Sequence, residues 1–392
     1  MAKQIIRFGV IGAGLMGREF AAATARWGSL LDLEARPEIV ALCDTNPALF
    51  EWYTSNFPSI RTTTTDYHEL LASNEIDAIY CAVPHSLHAG IYTDIIRAGK
   101  HLFGEKPFGI DLEANAKIMA AVRERPEVLV RVSSEFPFYP GAQRIVQAVL
   151  ENRLGRIIEV RSGFLHSSDL DPNKPINWKR MVEFNGEYGC MGDLGMHAVH
   201  LPFRFGWTPL NVRALLSNIV TQRPDKEGNT VPCETWDNAI LATEVETQGY
   251  RFPMTIETKR ISPGDTDTWY LDVLGTEYSI SFSTRHPRTL RLMEYQSGQE
   301  QAWQSIDLGY RSAYRTVTDG IFEFGFADSI LQMWAAFVDE LAHRDDMLQP
   351  FTCATPEEAE LSHRLFTAAL ESERTGSVLG LESVGLASDG VT

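Results

Sequence analysis

The chain has 392 residues, enough for two domains that each bury a core of their own. A hydrophobic share of 44% and a charged share of 22% are ordinary for a soluble globular protein, whereas a net charge of −17 disfavours nucleic acid or an anionic membrane as a partner. Five scattered cysteines (Cys43, Cys81, Cys190, Cys233, Cys353) show no CxxC and no metal-type spacing, which fits a reducing compartment without a disulfide framework.

The opening MAKQIIRFGVIGAG enters a strand-like run at once. Its apolar part is too short and too glycine-broken for a signal peptide, and no long apolar run follows, so a cytoplasmic protein is expected. Ile5–Ile11, Ile39–Cys43, Ala78–Val83 and Val128–Val132 read as strands buried on both faces. Helical stretches lie between them at Leu15–Trp27, His88–Ala98 and Leu112–Arg123. This alternation predicts a doubly wound parallel sheet over residues 1–135.

From residue 136 to 392 the texture changes. Gly155–His166, Ala239–Thr247, Phe252–Lys259, Trp269–Leu274, Tyr278–Phe282 and Thr289–Tyr295 alternate as one-sided strands, and two helices close the chain near Ser329–His343 and Pro356–Arg374. The expected class is therefore α/β, with an N-terminal Rossmann sheet and a C-terminal α+β domain built on a large, mostly antiparallel sheet. The closing helices are expected to pack back on the first domain. The open sheet face is expected to be apolar and covered by a second copy, giving a homodimer or homotetramer.

GAGLMG, residues 12–17, follows the first strand and opens the first helix. Gly12 permits a tight turn, Gly14 lets a pyrophosphate approach, and Gly17 allows close packing, with Leu15 and Met16 between them. The helix N-terminus offers free N–H groups to the phosphates. Asp44 ends the second strand, beyond an insert, WGSLLDLEARPE, that lengthens the crossover. A carboxylate there binds ribose hydroxyls and repels a 2′-phosphate, so NAD is favoured over NADP. The competing reading is that Asp44 caps the next helix.

Pro84, His85 and His88 in VPHSLH follow another strand and are placed to line the nicotinamide side, His88 being equally readable as an ordinary helix residue. In HLFGEKPFGI, Lys106 follows a short strand, Lys100–Phe103, and Pro107 holds it extended. Glu105 can orient the ammonium or touch the ribose. A lysine there can hydrogen-bond a substrate hydroxyl and stabilise a developing alkoxide. In GDLGMHAVH, Asp193, His197 and His200 share one face if the segment is helical. With no matching cluster elsewhere, proton chemistry is favoured over a metal, and none is expected.

These pieces, in this order, resemble the Gfo/Idh/MocA oxidoreductase family across nearly the whole chain, including the closing segment that begins MWAAFVDELAH. The resemblance implies that Lys106, Asp193 and His197 are the catalytic trio, with Lys106 on the reacting hydroxyl. His200 stands where the family often has aspartate, and SSEFPFYPG departs from the usual segment after the fifth strand. Trp178, Lys179 and Arg180 lie in substrate-loop material, where they can contact a sugar or an anionic substituent. The expected activity is NAD-dependent transfer of a hydride between nicotinamide and a secondary alcohol of a sugar, glycoside or cyclitol. The alternative is a redox-neutral, NAD-dependent glycosidase that oxidises the sugar transiently, eliminates, adds water and returns the hydride. A non-catalytic dinucleotide-binding regulator is a third reading.

Overall fold

The computed structural model describes residues 3–309, 311–322 and 324–383. They form two compact units, one from the described residues of 1–108, 116–140 and 309–356, the other from those of 109–115, 141–308 and 357–392.

In the first unit six parallel strands, β1 (Gln4–Ile11), β2 (Ala35–Cys43), β3 (Thr62–Thr64), β4 (Ala78–Cys81), β5 (His101–Gly104) and β6 (Val130–Val132), are ordered β3-β2-β1-β4-β5-β6. The order reverses between β1 and β4, where an open parallel sheet leaves a crevice at its carboxyl edge. Register brings the strand ends level there. Ile11 pairs with both Cys43 and Cys81, and Cys81 pairs with Gly104. The glycine loop, Asp44, the Pro84 loop and Lys106 therefore all leave the sheet along one edge.

The insert before β2 folds as part of the core. Trp27, Leu30 and Leu33 are buried, and the Trp27 indole donates to the Ala35 carbonyl at 3.0 Å. The helix Phe326–His343 belongs to this unit. Its Trp334 ring lies 3.9 Å from Phe20, 4.3 Å from Phe103 and 4.8 Å from Tyr80, centroid to centroid. Burying so much aromatic surface outweighs the long sequence separation.

The second unit holds β7 (Ile157–Leu165), β8 (Pro209–Ser217), the short pair β9 (Gln222–Pro224) and β10 (Thr230–Pro232), and then β11 (Asn238–Thr247), β12 (Tyr250–Lys259), β13 (Thr268–Gly275), β14 (Tyr278–Ser283), β15 (Thr289–Glu294), β16 (Gln304–Asp307) and β17 (Leu379–Gly380). Nine of them form a sheet ordered β16-β15-β14-β13-β7-β12-β11-β8-β17, in which only the pair β7–β12 is parallel.

The helix Cys190–Arg204 packs on one face of that sheet and contains Pro202. Proline has no N–H to give the carbonyl four residues earlier, that of Ala198. The Ser162 hydroxyl of β7 donates to that carbonyl instead, and the Trp269 indole of β13 donates to the His197 carbonyl at 2.8 Å. The opposite face is not the apolar one expected. Its cross-strand rows carry Glu159, Arg161, Glu257, Lys259, Tyr270 and Asp272, with Tyr270 donating to Glu257 at 2.6 Å and Arg161 to Glu159 at 2.8 Å. Leu215, 56% exposed, is an apolar exception on that face.

Candidate active site

The three loop glycines differ in what forces them. At Gly12, φ is +98° and an added Cβ would stand 2.2 Å from the Ala82 carbonyl oxygen. At Gly17 the Cβ would stand 2.2 Å from the Gly12 carbonyl oxygen. Both are demanded by the protein's own backbone. Gly14 is different, because a Cβ there meets nothing within 4 Å. The fold leaves that position open, with room for a group to approach the loop.

Gly14 is also the N-cap of the helix Leu15–Ala25, which has no side-chain cap. Its first amides are left for an anion. These features fit the pyrophosphate of a dinucleotide. Leu15 is exposed and Met16 half-buried.

Asp44 does not cap the following turn. Asn46 does, accepting from the Ala48 amide at 3.2 Å. The Asp44 carboxylate instead accepts from the Ala13 amide at 2.7 Å and the Asn46 amide at 2.8 Å, which fixes it beside the glycine loop. Thr45 and Asn46 are exposed, and neither is cationic.

The next two loops are braced from the core. Pro84 is half-buried and His85 nearly buried. The His88 side chain is fully buried, its Nδ1 2.7 Å from the Pro107 carbonyl and its Nε2 3.0 Å from the Val83 carbonyl. With both nitrogens on backbone, this imidazole has no atom to offer a cofactor, which corrects its placement on the nicotinamide side. Burial, with the nearby Lys106 charge adding to it, pushes its pKa down to about 4. Glu105 is buried and accepts from the Tyr80 hydroxyl at 2.7 Å, while the Tyr92 hydroxyl donates to the Glu105 carbonyl at 2.8 Å. The Lys106–Pro107 peptide bond is cis, and Lys106 is half-buried.

Asp193 and His197 stand in the second unit, both nearly buried on the helix Cys190–Arg204. The helix gives them one face, as the spacing predicts. Gly195 opposite is needed for packing, since a Cβ there would fall 2.2 Å from the Phe366 ring. Phe164 meets the His197 ring edge-on, with centroids 5.1 Å apart.

The Asp193 carboxylate is held by two cations. Lys179 Nζ is 3.0 Å and 3.2 Å from its oxygens, and the Arg260 guanidinium forms a second ion pair. Two opposite charges thus fix this carboxylate in place.

Arg180 departs from the sequence reading. It is fully buried, paired with Asp237 and 3.8 Å from Asp169, so it holds the substrate-loop segment instead of reaching a substrate. Asp169 also takes Arg260 at 3.3 Å and Lys174 at 3.2 Å. Burial alone would raise its pKa, but Arg260, Lys174 and Arg180 together hold it below the usual range. Trp178 is half-buried, with the Lys179 ammonium 5.6 Å from its ring centroid.

His200 is fully buried beside Glu358 and Arg204, and burial drives its pKa down to about 3. Arg260 and Asp169 escaped the sequence reading because nothing local marks them. Among the described residues, no three or more of His, Cys, Asp and Glu are grouped to hold a metal ion, and no helix is long and apolar enough to cross a membrane.

A glycine loop at the point where strand order reverses, with an aspartate ending the neighbouring strand, defines a dinucleotide-binding Rossmann protein. Residues 6–133 match the sequence model described as an oxidoreductase family with an NAD-binding Rossmann fold. Over those residues the chain is similar to the Gfo/Idh/MocA oxidoreductase family.

Over 226 residues it is 26% identical to the levoglucosan dehydrogenase of Pseudarthrobacter phenanthrenivorans, covering 57% of each protein, so it spans little more than half of that relative's length. Over 291 residues it is 23% identical to the glucose-6-phosphate 3-dehydrogenase of Bacillus subtilis, covering 74% of this chain and 77% of the other. A solved structure of levoglucosan dehydrogenase in complex with NADH matches with a TM-score of 0.86 at 22% identity, over 96% of this chain and 99% of that one. An oxidoreductase domain protein from Kribbella flavida matches equally well, with a TM-score of 0.86 at 20% identity over 97% and 100% of the two chains. At these identities the structures establish a shared fold.

Proposed function

We propose that the protein is an NAD-dependent oxidoreductase that moves a hydride between nicotinamide and a secondary alcohol of a sugar, glycoside or cyclitol. The observation that carries this reading is the common edge of the first sheet, where the glycine loop, Asp44 and Lys106 emerge side by side. When bound, NAD supplies the hydride acceptor at nicotinamide C4.

In this reading the glycine loop and Asp44 hold the dinucleotide, and Lys106 hydrogen-bonds the reacting hydroxyl and stabilises its developing negative charge. His197 takes the hydroxyl proton. Asp193, held in place by Lys179 and Arg260, orients the imidazole or binds a neighbouring hydroxyl. Trp178 and Lys179 are the substrate-loop residues proposed to face the sugar. The proposal includes a cytoplasmic protein that self-associates as a dimer or tetramer. Its open sheet face is polar, so that association would rest on hydrogen bonds and ion pairs as well as apolar contact.

The test is a panel of sugars, glycosides and cyclitols incubated with NAD and read by both absorbance and product mass, for the native protein and Lys106→Ala. NADH formation with one substrate class, abolished in the variant, supports the proposal. Turnover that survives Lys106→Ala contradicts it. Release of an aglycone without net NADH identifies the redox-neutral glycosidase instead, and tight NADH binding with no turnover identifies a regulator.

A further inference from the structure

The backbone on both sides of Lys106 is tied down. On one side the Glu105 carbonyl accepts from Tyr92 at 2.8 Å, and the Glu105 carboxylate accepts from Tyr80 at 2.7 Å. On the other side stands Pro107, which has no N–H and can be anchored by hydrogen bonding only through its carbonyl. That carbonyl lies 2.7 Å from His88 Nδ1. The same ring reaches the Val83 carbonyl with Nε2, at 3.0 Å, and stacks on Tyr92 with centroids 4.6 Å apart. One imidazole thus spans the loops that follow two adjacent strands, β4 and β5.

A neutral imidazole carries one N–H, yet both of its nitrogens face acceptors here. The shorter contact takes the hydrogen, which makes His88 the Nδ1–H tautomer donating to Pro107. Protonation would satisfy Val83 as well. Burial opposes that, and so does the charge of Lys106; His85 and Tyr92 are the other titratable groups against the ring. The ring therefore stays neutral through the neutral range and adds no second positive charge beside the lysine. A histidine kept only for packing would be replaceable by another aromatic ring. This one is a direct hydrogen-bonded tie to the residue after Lys106.

Resting on the role proposed for Lys106, we infer that His88 is a positioning residue that fixes the Lys106 backbone through the Pro107 carbonyl and so sets where the ammonium stands. Its long flexible stem gives a lysine little orientation of its own, so a fixed starting point matters more here than for a short side chain.

The test has arms that need no turnover. Nitrogen-15 spectra of the intact protein with NAD bound are expected to show His88 as the Nδ1–H tautomer. An Nε2–H tautomer overturns the assignment, and this reading needs no variant to fold. In His88→Phe, which keeps a ring against Tyr92 but removes both nitrogens, competitive acetic anhydride labelling is expected to shift Lys106 reactivity by about threefold relative to exposed lysines. With a substrate identified by the panel, kcat is expected to fall about tenfold or more while NADH affinity stays within about twofold, and His88→Gln, which restores one N–H donor, recovers part of the loss. Unchanged Lys106 labelling in His88→Phe, or parallel loss of NADH affinity and kcat, overturns the inference. If no substrate is found, the function proposal fails while the spectra and labelling still decide the role of His88.

Discussion

Replacing Gly14 and Gly17 separately by alanine distinguishes a glycine kept for a ligand from one kept for the fold. At Gly17 the new methyl carbon would stand 2.2 Å from the Gly12 carbonyl oxygen and 2.7 Å from the Tyr53 hydroxyl. Backbone has to move, and overpacking of this kind costs about 1–3 kcal/mol or more. At Gly14 the methyl meets nothing within 4 Å, and the residue's φ of −71° and ψ of −155° suit alanine. Losing a glycine N-cap costs roughly 0.5–1 kcal/mol, and restricting the unfolded chain returns about 0.4–1 kcal/mol. The free protein should therefore be nearly as stable as before.

Bound dinucleotide changes the account, because its pyrophosphate would occupy the space the methyl enters. A conflict of about 1.4–3 kcal/mol weakens binding by roughly 10–100-fold. NADH fluorescence titration and thermal melts of the free protein read the two effects apart. Gly14→Ala should lose affinity with little change in Tm, and Gly17→Ala should lose Tm. NADH binding to Gly14→Ala within about twofold of the native protein would falsify the assignment of this space to the cofactor. So would a loss of Tm as large as that of Gly17→Ala.

Other expectations follow from the same geometry. Asp44→Ala should weaken NADH by about tenfold and NADPH by less, narrowing the preference; parallel titrations in which both fall equally remove Asp44 from the choice between them. Arg180→Ala leaves the buried Asp169 and Asp237 short of a partner and should cost about 3–5 kcal/mol in urea unfolding, an effect that near-native stability would contradict.

His88 and His200 have folded pKa values lowered by burial to about 4 and about 3, so the folded chain binds fewer protons than the unfolded one. Their stabilisation is full above the ordinary value near 6.5 and is lost as pH falls below it. Each contributes a slope of about 1.4 kcal/mol per pH unit on the way down. Urea midpoints at falling pH should show this slope reduced in His200→Gln, and an unaltered slope would exclude His200 as a source.

The sequence by itself determined the features whose signals are local. Buried apolar runs mark β1, β2 and β4, alternation marks β11 to β14, and glycine spacing marks the loop, because strand period and turn chemistry are written within a few residues. Lys106, Asp193 and His197 stood out for the same reason, each lying in a short motif, Lys106 just past a strand end and the other two within one helix. The edge strands β3 and β16 were not legible, being short and polar.

Tertiary structure decided which polar groups meet. Asp193 and Arg260 come together because a helix lies across the end of β12, and no local pattern encodes that pairing. Arg180 and Lys179 are neighbours in the chain, yet one is buried against Asp237 and the other is partly exposed at Asp193. The cost of burying a charge without a partner sorts them, and partners are known only once distant segments have packed. The same holds for His88, whose type and spacing allow a cofactor ligand as readily as a brace. Only the approach of the Pro107 carbonyl, fixed by the pairing of β4 with β5, settles where its nitrogens point.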